Sequence, residues 1–220
     1  MMISPESFYE MNLKGKTPTE IMTVIRSLKR EIGRLKNIME HPDYPQRKSM
    51  IFPSESTRIS CSQYYLACAK QALVEAGGEY TPSAIEKKAM EFENSIPFIS
   101  KIEFWIGGFF SGYENRTYII NGNDLQITKE SSPAPGMYSL GEGKHKKLTK
   151  KNFLKGLEEI HIGEWSKRYD CSKFGQFVMD GTQWGLKFYY SNGHKPVEIH
   201  GDNAYPYNFK QLLELFEIKK

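Results

Sequence analysis

Long apolar runs are missing from this chain. Nowhere do apolar residues approach the roughly 18 in succession that a membrane-spanning helix needs, and the N-terminus MMISPESFYEMNLKGK has no apolar segment resembling a signal peptide. A soluble, cytoplasmic protein without a membrane partner is therefore expected. Cysteine is scarce as well: Cys61, Cys68 and Cys171 leave one thiol unpaired in any intramolecular scheme, which fits buried thiols in a reducing compartment. Asn115-Arg116-Thr117 matches a glycosylation sequon, which has no meaning without secretion. Charge of one sign is not in excess. With 30 Lys and Arg against 26 Asp and Glu, the formal net charge of +4 is too small to indicate nucleic acid by itself.

The signatures of chemistry are also lacking. The five histidines, His41, His145, His161, His194 and His200, form no helical pair at i, i+4 and have no cysteine at metal-ligand spacing, so neither metal nor cofactor is expected. His194, His200 and Asp202 fall near one another along a strand and read as hydrated surface groups, because nothing around them supplies a second shell. No serine sits in a nucleophile elbow, and Cys171 lies in Tyr169-Asp170-Cys171-Ser172 without a motif. Glu158 and Glu159 are adjacent on a helix and point in different directions. Gly107, Gly108 and Gly112 do not make a phosphate loop, since no Gly-Lys-Ser/Thr follows and no helix opens there. No catalytic residue is assigned, and a non-enzymatic protein is expected ahead of an enzyme whose site the sequence does not reveal.

What is present is a core. Hydrophobic residues make up 39% of the chain and aromatics 13%, enough for one or two folded domains. Thr17-Pro18-Thr19-Glu20 is a helix start, with Thr17 as N-cap, Pro18 at the first helical position and Glu20 closing a capping box. Ile21, Ile25, Leu28, Ile32, Leu35 and Met39 then form a seam at heptad spacing, ending near His41-Pro42. Its expected partner is a helix from about Thr57 to Ala76, carrying Cys61, Tyr65, Cys68 and Ala72 on one face and stopped by Gly77-Gly78. Residues 41 to 56 read as a long connection. Thr81-Pro82 opens a third helix with Ile85, Ala89 and Phe92 inward, and Pro97 ends the helical region.

Beyond Pro97 the period changes to alternation. Ile102, Phe104 and Ile106 lead into a glycine-rich bend, Thr117 to Ile120 return from it, and Asn121-Gly122 turns the chain into a third antiparallel strand with Leu125 and Ile127. A loop with many lysines precedes Thr149, the cap of a helix in which Leu148 and Phe153 form a staple and Leu157 and Ile160 continue the stripe as far as Gly163. Trp184, Leu186, Phe188 and Tyr190 then alternate, as do Val197 and Ile199. Folding back around Asn192-Gly193 puts Phe188 opposite Val197, Leu186 opposite Ile199, and Lys187 opposite Glu198 as a cross-strand ion pair. Pro196 favours a four-residue loop, Ser191 to His194, which turns its missing amide outward and implies an edge or a bulge there. A last helix is capped by Asn208 with Gln211, and its stripe is Phe209, Leu212, Leu213 and Phe216. Trp184 and Tyr205 belong to the core or its rim.

Gly107-Gly108-Phe109-Phe110 with Gly112-Tyr113, Trp165, Asp180-Gly181-Thr182-Gln183-Trp184 and Gly201-Asp202-Asn203-Ala204-Tyr205-Pro206 together resemble a module of uncharacterised bacterial proteins, mainly from gut Gram-positive bacteria. The resemblance covers about residues 98 to 218. It implies a shared fold and no known activity.

The expected fold is α+β: N-terminal antiparallel helices (1–97), followed by an antiparallel β-sheet of about five strands with two helices packed on one face (98–220). The expected function is protein binding or regulation. Its candidate contacts are Phe109, Phe110, Tyr113 and Pro196, and its partner is another protein or, through the seam, a second copy. The alternative is binding of nucleic acid or another polyanion. Arg26, Arg30 and Arg34 line one helix face at i, i+4, i+8, and Lys144, Lys146, Lys147, Lys150 and Lys151 crowd a helix start where the macrodipole disfavours positive charge.

Overall fold

The computed structural model describes residues 3–44, 52–108, 112–132, 148–176, 178 and 181–218. The chain divides into two compact units, Met1–Pro82 and Ser83–Lys220.

Among the described residues, the first unit has the helices α1 (Pro5–Asn12), α2 (Pro18–Glu40) and α3 (Glu55–Glu75). Thr17 caps α2 as its sequence demands, its side chain accepting from the Glu20 amide while the Glu20 carboxylate accepts from the Thr17 amide. Ile21, Ile25, Ile32 and Leu35 of the seam are buried, with Leu28 and Met39 at its margin. The face of α3 differs from expectation. Its buried residues are Ile59, Ser62, Ala69, Ala72 and Leu73, whereas Cys61, Tyr65 and Cys68 lie half-buried on its flank. The flank serves α1. There the rings of Phe8 and Tyr65 stack 4.3 Å apart and the Tyr65 hydroxyl donates to the Ile3 carbonyl at 2.7 Å. A helix with two partners buries a stripe too broad for a single periodic set to describe.

The second unit opens with α4 (Ala84–Ser95) and contains strands β1 (Ile99–Gly108), β2 (Gly112–Asn121) and β3 (Asp124–Ser132). It continues through α5 (Lys150–Ile160), β4 (Arg168–Asp170), β5 (Gln183–Tyr190), β6 (Val197–Asp202) and α6 (Phe209–Leu215). The six strands form one sheet in the order β3-β2-β1-β5-β6-β4, antiparallel except for the short β4–β6 pair. Alternation sends Ile102, Phe104 and Ile106, Tyr118 and Ile120, Trp184, Leu186 and Phe188, and Ile199 to one face. Against that face pack Phe153, Leu157 and Ile160 of α5 and Phe209, Leu212 and Leu213 of α6. α4 joins them through Phe92, whose ring meets Phe188 edge-on at 5.1 Å. No described helix is long and apolar enough to cross a membrane.

Three helix-end expectations are corrected. The cap of α4 is Ser83, in a capping box with Glu86, and not Thr81; Ile85 is 73% exposed while Ala89 and Phe92 are buried. α5 ends at His161, which takes the left-handed conformation at φ 53°. Gly163 serves a different need, because a β-carbon there would lie 2.6 Å from the carbonyl oxygen of Ala89 in α4. Asn208 makes no capping bond. Its side chain is buried, accepting from the Trp165 indole at 2.9 Å and donating to the carbonyl of Ile160, so it joins the end of α5 to the core.

The β5–β6 register is the expected one, with Leu186 opposite Ile199, Phe188 opposite Val197, and Lys187 Nζ 3.9 Å from Glu198 Oε2. The segments around this hairpin have structural tasks. Trp184 is fully buried and donates to the Ala204 carbonyl at 3.0 Å, its indole lying over Gly201, where a β-carbon would be 2.0 Å from Nε1. Asn203, at φ 51°, accepts from the Thr182 amide through its side chain at 2.8 Å and donates its own amide to the Thr182 carbonyl. That clip lies so close to Gly181 that any larger residue there would collide with it.

Candidate functional site

The best candidate site grows from one strand edge. In β6 the His200 amide points away from β5 and donates to the Lys167 carbonyl at 3.0 Å. Alternation along a strand then directs the backbone groups of Glu198, and the position of Pro196, to the same outer side. The β4 ladder covers only His200, Gly201 and Asp202, so residues 196 to 198 lie beyond it. Proline on that side removes an amide that would otherwise lack a ladder partner. The ladder itself ends at Phe188 opposite Val197, and residues 191 to 196 connect the two strands, a longer connection than the four-residue loop expected.

Among the described residues no strand pairs with positions 196 to 198 on that side, and this edge opens onto a groove of about 540 Å³. Its apolar lining comes from Phe92 of α4, Ile162 and Trp165 from the turn after α5, and Val197 and Ile199 of β6. Two contacts fix the α4 wall to that turn: the close approach of Gly163 to Ala89, and His161 Nδ1 at 3.2 Å from Glu93 Oε1. Tyr190 adds its ring. Its hydroxyl is buried without a bond of ordinary geometry to any described residue, and burial raises its pKa, tempered by the neighbouring Ser95. The rim carries exposed Lys88, Lys167 and Lys195. Glu91 is exposed at the rim, whereas the Glu198 side chain lies on the other face of the sheet, with the Lys187 ammonium at 3.9 Å and His200 Nε2 at 3.2 Å.

No family model, curated protein or solved structure matches the chain.

The opposite face of the sheet carries Lys101, Glu103, Trp105, Lys187, Tyr189, Glu198 and His200. Glu103 receives Lys101 at 2.7 Å and the Tyr189 hydroxyl at 2.7 Å, and these bonds hold its carboxyl below the usual range. A shallower hollow of about 270 Å³ lies between Trp105, Arg168, Gln183 and His200. Among the described residues, no group of three or more His, Cys, Asp or Glu is placed to hold a metal ion.

The expected contact residues are not all in one place. Pro196 is exposed at the groove, and Tyr113 is exposed on β2 across the sheet; Phe109 and Phe110 lie outside the described residues. Of the polyanion set, Arg26 and Arg30 are exposed on α2, whereas Arg34 is tied to Glu31 by two bonds of 2.8 and 2.9 Å. Lys150 donates to the Gly122 carbonyl and Lys151 is exposed. Lys144, Lys146 and Lys147 lie outside the described residues. Sequence reasoning missed Lys88, Lys167 and Lys195, which converge only through folding. The one local signal was Pro196.

Proposed function

We propose that the chain is a non-enzymatic binding protein whose contact site is the groove beside β6, and that it takes another protein there. The observation that carries this reading is the uncovered edge at residues 196 to 198 opening on an apolar hollow with a charged rim. Such an edge offers main-chain hydrogen bonds to an added strand, and a lining of large apolar side chains offers a pocket for one of its residues. The hollow is within the size range of binding pockets. A catalytic reading has less support. The lowered carboxylates Glu6, Glu20, Glu31, Glu103 and Asp170 owe their shifts to helix and turn caps or to surface partners. The polyanion alternative has less support too, since Glu31 draws both Arg34 and Arg58, the latter at 2.6 Å, and so neutralises part of the basic face.

A random peptide library displayed on phage and selected on the full-length protein tests the reading. Selected peptides should bind the purified protein and lose affinity when Ile162→Asp or Val197→Asp places a charge in the hollow, with folding verified by circular dichroism. Peptides that bind both variants as well as the parent would place the contact elsewhere and refute the proposal.

A further inference from the structure

We infer that the occupant of the groove is an extended segment with an apolar residue at its centre and acidic residues two positions to either side, all three facing inward. The inference rests on the binding reading above and names the chemistry of its partner. A strand laid along the free edge of β6 alternates its side chains as β6 does, so every second residue faces the helices and the others face the opposite surface. Inward, the floor is Phe92, Ile162 and Val197, which suits one aliphatic or aromatic side chain. Lys88, Lys167 and Lys195 also line the groove, none of them in an ion pair with a described residue, against the single acidic residue Glu91 on that side of the sheet. Carboxylates at i−2 and i+2 meet this excess of positive charge. Outward, the neighbour is Glu198, already shared between Lys187 at 3.9 Å and His200 at 3.2 Å, so an acidic residue at i−1 or i+1 meets no cation left over for it. The groove therefore discriminates by the position of the charge as well as by its sign.

Fluorescence anisotropy with labelled seven-residue peptides on the full-length protein reads this directly. The probe is Thr-Glu-Thr-Ile-Thr-Glu-Thr; its comparators carry Lys in place of both Glu, or move both Glu beside the Ile. The probe should bind about tenfold more tightly than either comparator at low salt, since surface ion pairs are individually weak but additive. Its advantage should vanish in Lys88→Ala/Lys167→Ala/Lys195→Ala and shrink as salt is raised. Equal binding of the probe and the lysine peptide overturns the inference while leaving the groove a peptide site. If neither these peptides nor display-selected ones respond to Val197→Asp, the binding reading falls with it. Salt-sensitive binding of a single-stranded oligonucleotide, abolished by the triple lysine variant, assigns the rim to a polyanion and also overturns the inference.

Discussion

Replacing Gly201 by alanine places a methyl carbon 2.0 Å from Nε1 of Trp184 and 2.2 Å from its Cε2, far inside van der Waals contact. The indole has no room to retreat, because it is fully buried and ringed by Phe209 at 4.6 Å, Tyr169 at 5.9 Å and Trp165 at 6.2 Å. Overpacking of this kind costs about 1–3 kcal/mol. Displacing the ring also breaks its bond to the Ala204 carbonyl and leaves a buried donor or acceptor unpaired, at about 1–3 kcal/mol more. The gain from restricting the unfolded chain is smaller, about 0.4–1 kcal/mol. The net loss is about 3 kcal/mol. Urea unfolding followed by tryptophan fluorescence suits the purpose, because Trp105, Trp165 and Trp184 all lie in the second unit and report on it alone. With a urea dependence of about 1–3 kcal/mol per molar, the midpoint should fall by about 1–3 M. Gly193→Ala is the comparison. That glycine has φ 80° but open space around it, so its loss is confined to the backbone term of about 1–2 kcal/mol. If Gly201→Ala unfolds at the parent's midpoint, the steric role assigned to this glycine is wrong.

Asn208→Ala strands the Trp165 indole and the Ile160 carbonyl, and should cost about 2–4 kcal/mol in the same urea assay. Asn203→Gly and Asn203→Ala both lose the side-chain bond from the Thr182 amide, but only glycine tolerates φ 51° without strain, so the alanine variant should be less stable by about 1 kcal/mol. Gly33→Ala, within α2 and with nothing near its new methyl, should raise the stability of the first unit by about 0.5–1 kcal/mol in far-UV circular dichroism melts. Burial raises the Tyr118 pKa above its ordinary 10.0. Below pH 10 both folded and unfolded chains keep this proton. Above it the unfolded chain ionises first, so stability is lost as pH rises towards the folded value. The alkaline slope of unfolding free energy should be shallower in Tyr118→Phe.

The parts of the fold that local chemistry writes were legible: the Thr17 box, the α2 seam and the β5–β6 register each follow from residues close in sequence. α1 carries the same signal, with Ser4 as cap and Pro5 at the first helical position, but its eight residues bury only Phe8 and leave no periodic trace. β4 has three residues, too few for alternation to register. Asn208 has the residue type of a cap, yet its side chain answers two distant groups, a choice made by packing and not by propensity. The groove was the least legible feature. Its walls come from α4, from the turn after α5 and from β6, and a sequence lists them apart; only the outward Pro196 announced that an edge lay there.

Hydrogen exchange measured amide by amide along β6 of the free protein shows whether its outer edge is open. The amides of Val197 and Ile199, which point towards β5, should be protected, as should that of His200 through Lys167, while Glu198 between them should exchange rapidly. Protection of Glu198 as strong as that of Ile199 would show the edge already covered, and the docking site proposed for it would not exist.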